Sequence, residues 1–227
     1  MKIFLSLILL LGLCAFIPNR AFAQTPTPDW IKKIPDVQNA NQVVVVAGLG
    51  GTTAWISMHE KNSAGEFEQI MTTPGFIGKN GLGKEKEGDN KTPVGVFRFD
   101  KAFGIKPDPG CAIPYVKVTE NLYWSGDANY KYNRLVDIRD YPELDKPNSE
   151  HLIDFNPHYN YALNISYNSA CIAGKGSAIF MHCFGPAKPW TGGCVALPEE
   201  KMLFVMKHVK PGCVVIIDSL ENLGGSI

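Results

Sequence analysis

The amino-acid sequence predicts a mainly β protein with one helix close to its C-terminal end. Three observations support this fold class. Short runs of β-branched and apolar residues recur along the chain, turn residues separate them at intervals of about ten residues, and a single segment carries apolar residues at helical spacing. We find no internal repeat and no shift in composition, so one β-rich domain is the simplest organisation.

The strands are predicted from β-branched and aromatic residues in alternating or continuous apolar runs. QVVVVAG is the clearest single run, and the two segments that flank the turn NSAGE fit the arms of a hairpin. Glycine and charge dominate residues 79–91, which we interpret as a mobile loop. Strands are expected at 42–48, 53–61, 67–78, 92–104, 159–168, 176–184 and 212–218.

One helix is predicted over residues 198–209. Pro198 suits its first position, and two glutamates place negative charge in the first turn, where the helix dipole favours it. Lys207 and His208 place basic groups in the last turn. The apolar residues at helical spacing are Met202, Leu203, Val205, Met206 and Val209.

Residues 1–23 are predicted to form a cleaved secretory signal peptide. Lys2 precedes the apolar run 3–17, and the small residues of AFA fit a cleavage site before Gln24. The apolar run has 15 residues, fewer than the ~20 that a membrane-spanning helix needs. We therefore expect a secreted protein of the periplasm or cell envelope, with no stable membrane insertion after cleavage.

Composition and charge exclude two classes of partner. The chain has 22 basic and 22 acidic residues, and loss of residues 1–23 would remove two basic residues and no acidic one, which leaves a net charge of −2. Binding to nucleic acid or to an anionic membrane would favour an excess of Lys and Arg, so neither is expected. The remaining chain is predicted to form an extended, proline-rich lead-in at 24–41, one folded domain at 42–220 and a C-terminal tail at 221–227.

Five cysteines remain after cleavage, in a compartment that is expected to be oxidising. An odd number implies one thiol that pairs between chains or stays free for a task, and Cys194 is our candidate. The other four could form two disulfides, one or none. A Cys111–Cys171 pair is the first to consider, because both residues flank loops. The four are Cys111, Cys171, Cys183 and Cys213.

A histidine and a cysteine lie at the two ends of one short loop. The apolar run GSAIFMH ends on His182, and TGGC leads to Cys194 shortly before the predicted helix. A nearby imidazole can take the proton of a thiol and hold the pair as thiolate and imidazolium. Gly193 lets the backbone approach a ligand closely, and the N–H groups of Gly193 and Cys194 could stabilise a developing oxyanion. These residues predict an acyl-transfer site.

Structural roles for the same residues remain open at this point. Cys194 could be a buried thiol, or half of a disulfide with Cys183 or Cys213. His182 could be a strand-end histidine bonded to a carbonyl group. A metal site is not indicated, because the sequence contains neither CxxC nor HxxxH, spacings that zinc sites commonly use.

Several segments resemble the L,D-transpeptidase catalytic domain (YkuD-type) family. The family signature ends a strand on a histidine and, after a loop, enters a Ser-His-Gly-Cys-Ile-Arg-Leu-like segment; His182 and the run TGGCVAL take these places here. KTPVGVF resembles the family's Thr-Pro-x-Gly-x-Phe strand, and residues 197–217 resemble its helix followed by a strand. The likeness covers most of 42–218 and is greatest for a divergent secreted branch with GCVALP in place of GCIRL.

The resemblance implies a β-sandwich-like catalytic domain that needs no metal or organic cofactor. In it Cys194 is the nucleophile, His182 is the base, and the Gly193 N–H forms part of the oxyanion hole. Two positions depart from the signature, since Gly192 replaces a histidine and Ala196 replaces an arginine. The first leaves His182 as the only motif histidine able to act as base. The second removes a cation that would hold the loop or a substrate carboxylate.

Substrate contacts are expected from the catalytic loop and from residues 104–158, a stretch that could form one wall of a substrate groove. Its aromatic residues also suit simple packing, and a histidine there also suits a solvent-facing position. Asp127, Asn133 and Tyr132 are weaker candidates, and His59, His158 and His208 are interpreted as surface residues. The candidate substrate-binding residues are Thr191, Gly192, Tyr115, Trp124 and His151.

Three functions follow from these patterns. The resemblance implies a secreted acyltransferase of peptidoglycan stem peptides: Cys194 attacks the carbonyl between a diamino acid and a terminal D-alanine, and the thioester passes to an amine of a second stem peptide or a protein lysine. Transfer to water instead would make an L,D-carboxypeptidase or a related cell-wall hydrolase. A disulfide at Cys194 would leave a non-catalytic peptidoglycan-binding domain.

Overall fold

The computed structural model describes residues 25–186 and 188–226, so the predicted signal peptide lies outside the described residues. The mainly β class is confirmed. The α-helices of the described residues are α1 (Asp29–Lys32), α2 (Pro35–Gln38) and α3 (Glu199–His208). Their strands are β1 (Thr25–Pro26), β2 (Gln42–Gly50), β3 (Thr53–Lys61), β4 (Phe67–Phe76), β5 (Gly95–Gly104), β6 (Tyr115–Lys117), β7 (Leu122–Trp124), β8 (Leu135–Asp137), β9 (Glu150–His151), β10 (Ala162–Ile165), β11 (Phe180–Cys183), β12 (Val195–Leu197) and β13 (Val214–Ser219).

Ten of these strands form one sheet that closes on itself. The order is β1-β4-β12-β11-β10-β5-β13-β2-β3, β6 pairs with β5, and β3 also pairs with β4. The β3–β4 pair is the hairpin predicted from the sequence. Strand β13, from the end of the chain, lies between β2 and β5. Segments from both ends of the chain therefore share one sheet around the main core.

Strand β2 is buried on both faces, which explains its continuous apolar run. Val44 faces the core inside the sheet, whereas Val45 faces outward against the residues of α1 and α2. The structure thus differs from the extended lead-in predicted for residues 24–41. Ile31 and Val37 are buried in two single-turn helices that cover this outer face.

A second, three-stranded sheet forms within residues 104–158, in the order β8-β7-β9. Aromatic contacts attach it to the main sheet. The ring centroids of Trp124 and Phe180 lie 4.8 Å apart, and those of Phe103 and Trp124 lie 6.1 Å apart. This small sheet packs on Phe180 at the start of β11, the strand that carries the predicted catalytic histidine.

Residues 79–91 differ from the mobile loop that their composition indicated. Lys84 Nζ lies 2.9 Å from Asp89 Oδ1, and both side chains are less than 10% exposed. The Asp89 carboxylate also accepts N–H groups from its own turn. Glu87 accepts a hydrogen bond of 2.7 Å from the Ser177 hydroxyl and a second from Tyr132. The segment is therefore fixed both internally and against the rest of the domain.

Along residues 25–186 and 188–226, no helix has the length and apolar character that crossing a membrane requires.

Candidate active site

Two adjacent parallel strands, β11 and β12, bring the predicted nucleophile and base together. Met181 pairs with Val195, and both face the main core. Because side chains alternate along a strand, His182 of β11 and Cys194, which directly precedes β12, face the other side, beneath the small sheet. Both open into one cavity of about 730 Å³.

Cys194 is a free, buried thiol with two backbone contacts. Its Sγ donates to the carbonyl oxygen of Ala178 at 3.1 Å and accepts the N–H of Phe180 at 3.3 Å. Burial, with the charge of Glu150 adding to it, raises the pKa of Cys194 to about 12. The thiol is therefore protonated at rest.

His182 is held by its own neighbour in β11. Its Nδ1–H donates to the carbonyl oxygen of Cys183 at 2.8 Å, because a carbonyl oxygen only accepts. That bond leaves Nε2 with a free lone pair, the form required of a base. Burial, with a smaller effect of His158, lowers the pKa of His182 to about 4.

The resting pair is thus neutral thiol and neutral imidazole, and not the thiolate and imidazolium that a cysteine and a histidine can form. Burial disfavours the charged form of each group. Among the hydrogen bonds of the described residues, none joins Cys194 Sγ to the His182 ring. The two groups are therefore not joined by a proton at rest.

Thr92, from the KTPVGVF segment, fixes the cysteine loop. Its hydroxyl donates to the carbonyl oxygen of Gly193 at 2.8 Å and accepts the N–H of Gly78 at 2.8 Å. Gly193 has φ +141°, and a Cβ there would lie 2.8 Å from the carbonyl oxygen of Lys91. Glycine is needed because the two backbones touch.

Thr191 closes the same loop from within. Its hydroxyl donates to the carbonyl oxygen of Cys194 at 2.7 Å, and it accepts the Gly193 N–H at 3.1 Å. The N–H predicted to face an oxyanion is therefore engaged by Thr191 at rest. An oxyanion at this position would have to take over that bond.

The other predicted substrate contacts divide into two groups. Thr191, Gly192 and Trp124 line the cavity, and a Cβ on Gly192 would meet nothing within 4 Å. Tyr115 and His151 do not line it. Tyr115 donates to the carbonyl oxygen of Lys106 at 2.6 Å, and His151 stacks on a tyrosine and contacts Asp154.

Several residues of the cavity wall were not identified from the sequence. Glu150 and Tyr159 lie in it, joined by a hydrogen bond of 2.6 Å. His158, expected at the surface, also lines it, with its ring centroid 5.8 Å from that of His182. Each lies far from the loop motif along the chain, so the spacing of residues within that motif could not indicate that they belong to the site.

All five cysteines of the described residues are free, including Cys111 and Cys171, the pair first considered for a disulfide. Cys183 and Cys213 are buried in the main core. The same residues contain no group of three His, Cys, Asp or Glu side chains that could hold a metal ion.

A comparison with known protein families shows which family this chain belongs to. Residues 56–217 match the YkuD family, described as the L,D-transpeptidase catalytic domain. The chain belongs to this family. The matched range lies within the domain predicted at 42–220, and the YkuD-type, β-sandwich-like fold class is confirmed.

Two solved structures are similar to this chain. One is the helical cell shape determining protein Pgp2 from Campylobacter jejuni, at 16% identity and a TM-score of 0.40, over 84% of this chain and 54% of that one. The other is an L,D-transpeptidase from Stackebrandtia nassauensis, at 14% identity and a TM-score of 0.35, over 84% of this chain and 63% of that one. The chain thus spans little more than half the length of Pgp2. The search of curated proteins gives no match.

Proposed function

We propose that this YkuD-family chain is a cysteine acyltransferase acting on peptidoglycan stem peptides. One observation carries the proposal: the parallel pairing of β11 and β12 directs a free thiol, Cys194, and an imidazole with an available Nε2, His182, into one cavity. Membership of the L,D-transpeptidase family supports the substrate class.

In the proposed reaction, Cys194 Sγ attacks the carbonyl between the diamino acid and the terminal D-alanine. His182 Nε2 accepts the thiol proton as the C–S bond forms, since both groups are neutral beforehand. The same proton then passes to the leaving D-alanine nitrogen as the C–N bond breaks. The products are a thioester on Cys194 and free D-alanine, and the chemistry requires no metal or organic cofactor.

The acceptor determines the product. An amine of a second stem peptide or of a protein lysine would give a cross-link, and water would give a trimmed peptide. The protein would act in the periplasm or cell envelope, a location that rests on the predicted signal peptide. Because Cys194 is a free thiol, the structure does not support a binding domain locked by a disulfide at this residue.

The proposal is tested by replacing the nucleophile. Cys194→Ala, incubated with a stem tetrapeptide ending in D-alanine, is expected to lose D-alanine release and the acyl-enzyme mass. Cys171→Ala is the matched control, because this partly exposed thiol lies outside the cavity. Intact-protein and muropeptide mass spectrometry give both readouts. Turnover by Cys194→Ala equal to that of the wild type would contradict the assignment.

A further inference from the structure

Glu150 places a carboxylate in the wall of the cavity that contains Cys194. It lies on β9, paired across the small sheet with Trp124 of β7, and both residues line the cavity. The charge of Glu150 acts on the thiol, since it contributes to the raised pKa of Cys194. The carboxylate is therefore part of the environment of the proposed nucleophile.

A buried tyrosine fixes this carboxylate in place. The Tyr159 hydroxyl donates to Glu150 Oε2 at 2.6 Å. The Tyr159 ring stacks on Phe155 at 4.7 Å and meets the edge of the His182 ring at 5.4 Å between centroids. Among the described hydrogen bonds, those of the Glu150 side chain use Oε2 only, which leaves Oε1 for a ligand.

Glu150 also lacks a cationic partner within residues 25–186 and 188–226. Their salt bridges do not include it, and Lys84, which lines the same cavity, is paired with Asp89. Burial, with the charge of Glu87 adding to it, raises the pKa of Glu150 to about 7. A partly buried carboxylate without a cation is the complement of an ammonium group.

We propose that Glu150 binds the ammonium group of the acyl acceptor and takes its first proton. This inference rests on the proposed acyl transfer. An amine reaches the site as R–NH₃⁺, which has no lone pair for attack. The Glu150 carboxylate accepts one proton to give R–NH₂, and the nitrogen then attacks the thioester carbonyl.

The remaining steps balance without any further reactant. The new N–C bond forms, the C–Sγ bond breaks, and the second nitrogen proton passes through His182 to the departing Cys194 sulfur. The third proton stays on the new amide, and Glu150 releases its proton to water. Two bases are needed because the acceptor loses two protons, and the cavity offers one base for each.

The test measures the ratio of aminolysis to hydrolysis of one acyl-enzyme. Glu150→Gln keeps the shape of the side chain and an acceptor for Tyr159, but it cannot take a proton. With a stem tetrapeptide as donor and an alkylammonium acceptor, the ratio of aminolysis to hydrolysis is expected to fall at least about tenfold. The ratio is independent of the acylation rate, because both products come from the same thioester. Glu200→Gln, an exposed residue of α3, should leave the ratio unchanged.

Hydroxylamine separates the chemical role from structural damage. This amine is largely uncharged at neutral pH, so Glu150→Gln should retain its ratio of aminolysis to hydrolysis with hydroxylamine. An equal fall with both acceptors would overturn the inference, and so would an unchanged ratio with the alkylammonium acceptor.

Failure of the proposed function has a different signature. A wild-type protein that forms no acyl-enzyme at Cys194 would overturn the acyltransferase proposal itself. A wild-type protein that forms the acyl-enzyme but yields only hydrolysis would overturn the role of Glu150 alone.

Discussion

Burial makes the two proposed catalytic groups neutral at rest, and this distinguishes the site from a preformed ion pair. Cys194 and His182 are 8% and 7% exposed. A charge on either group would lack hydration, and the Lys84 charge offsets only part of that cost at Cys194. In the proposed reaction, the thiol therefore loses its proton to Nε2 only as the C–S bond to a substrate carbonyl forms.

The pH dependence of acylation should reflect this neutral pair. Because the pKa of His182 is about 4, the imidazole remains available as a base from alkaline pH down to about pH 5, and the rate should fall as pH passes through 4. The rate of first-turnover D-alanine release against pH measures this.

A control for that profile is alkylation of Cys194 by iodoacetamide. With a thiol pKa of about 12, alkylation should keep rising up to about pH 9 without a plateau. A plateau near pH 7 would instead indicate a thiolate–imidazolium pair and contradict the neutral resting state.

At the scale of elements, segment 79–91 supports the loop that carries Cys194, the proposed nucleophile. Lys79 N–H donates to the carbonyl oxygen of Thr191 at 2.9 Å, and Thr92, directly after the segment, bonds to Gly193. The two family-like motifs, far apart in sequence, therefore form one unit in space. The Lys84–Asp89 ion pair holds the turn between them.

Asp89→Ala should destabilise this unit and the whole domain. Burial raises the pKa of Asp89, but the Glu85 N–H and Lys84 outweigh that effect and hold the pKa well below its usual range. Removing the carboxylate leaves the buried Lys84 ammonium without its partner, which costs roughly 3 kcal/mol. Denaturant unfolding at pH 7 measures the loss.

Asp140→Ala, at an exposed position, serves as the control and should change the free energy of unfolding by less than about 0.5 kcal/mol. Equal stabilities of the Asp89 and Asp140 variants would show that the ion pair does not hold the segment.

For the whole molecule, the closed sheet buries a second histidine that the sequence placed at the surface. His59 of β3 is fully buried, with ring nitrogens 2.9 Å from Thr27 Oγ1 and 2.8 Å from Ser57 Oγ. Thr27 directly follows β1, the N-terminal strand that pairs with β4. Burial lowers the pKa of His59 to about 4.

Stability should therefore fall on acidification. A buried histidine with a lowered pKa gives full stability above its unfolded pKa of about 6.5 and loses it between 6.5 and 4, because only the unfolded chain binds the proton there. His59 should cost about 2 kcal/mol between pH 7.5 and 5. The free energy of unfolding at the two pH values measures it.

His59→Gln should reduce this pH dependence, whereas His208→Gln, an exposed residue of α3, should retain it. The same dependence in wild type and His59→Gln would contradict the assignment to His59.

The sequence by itself determined those features that depend on a local pattern of residues, namely individual strands, the C-terminal helix and the candidate site loop. Segment 53–61 coincides with β3, and segment 198–209 contains α3, because residue propensities and periodicity act over a few neighbours. The loop from His182 to Cys194 could be read as a candidate acyl-transfer site for the same reason: the chemistry of both residues and their spacing lie within one short segment.

Only the tertiary structure decided the environment of those residues. The Glu150 carboxylate, the Tyr159 ring and the ordered 79–91 segment reach the cavity from distant parts of the chain. The neutral states of Cys194 and His182 follow from burial, which depends on contacts between these parts. The spacing of residues along the chain predicts neither the distant cavity residues nor the protonation states, because the free energy of a charge depends on everything that surrounds it in space.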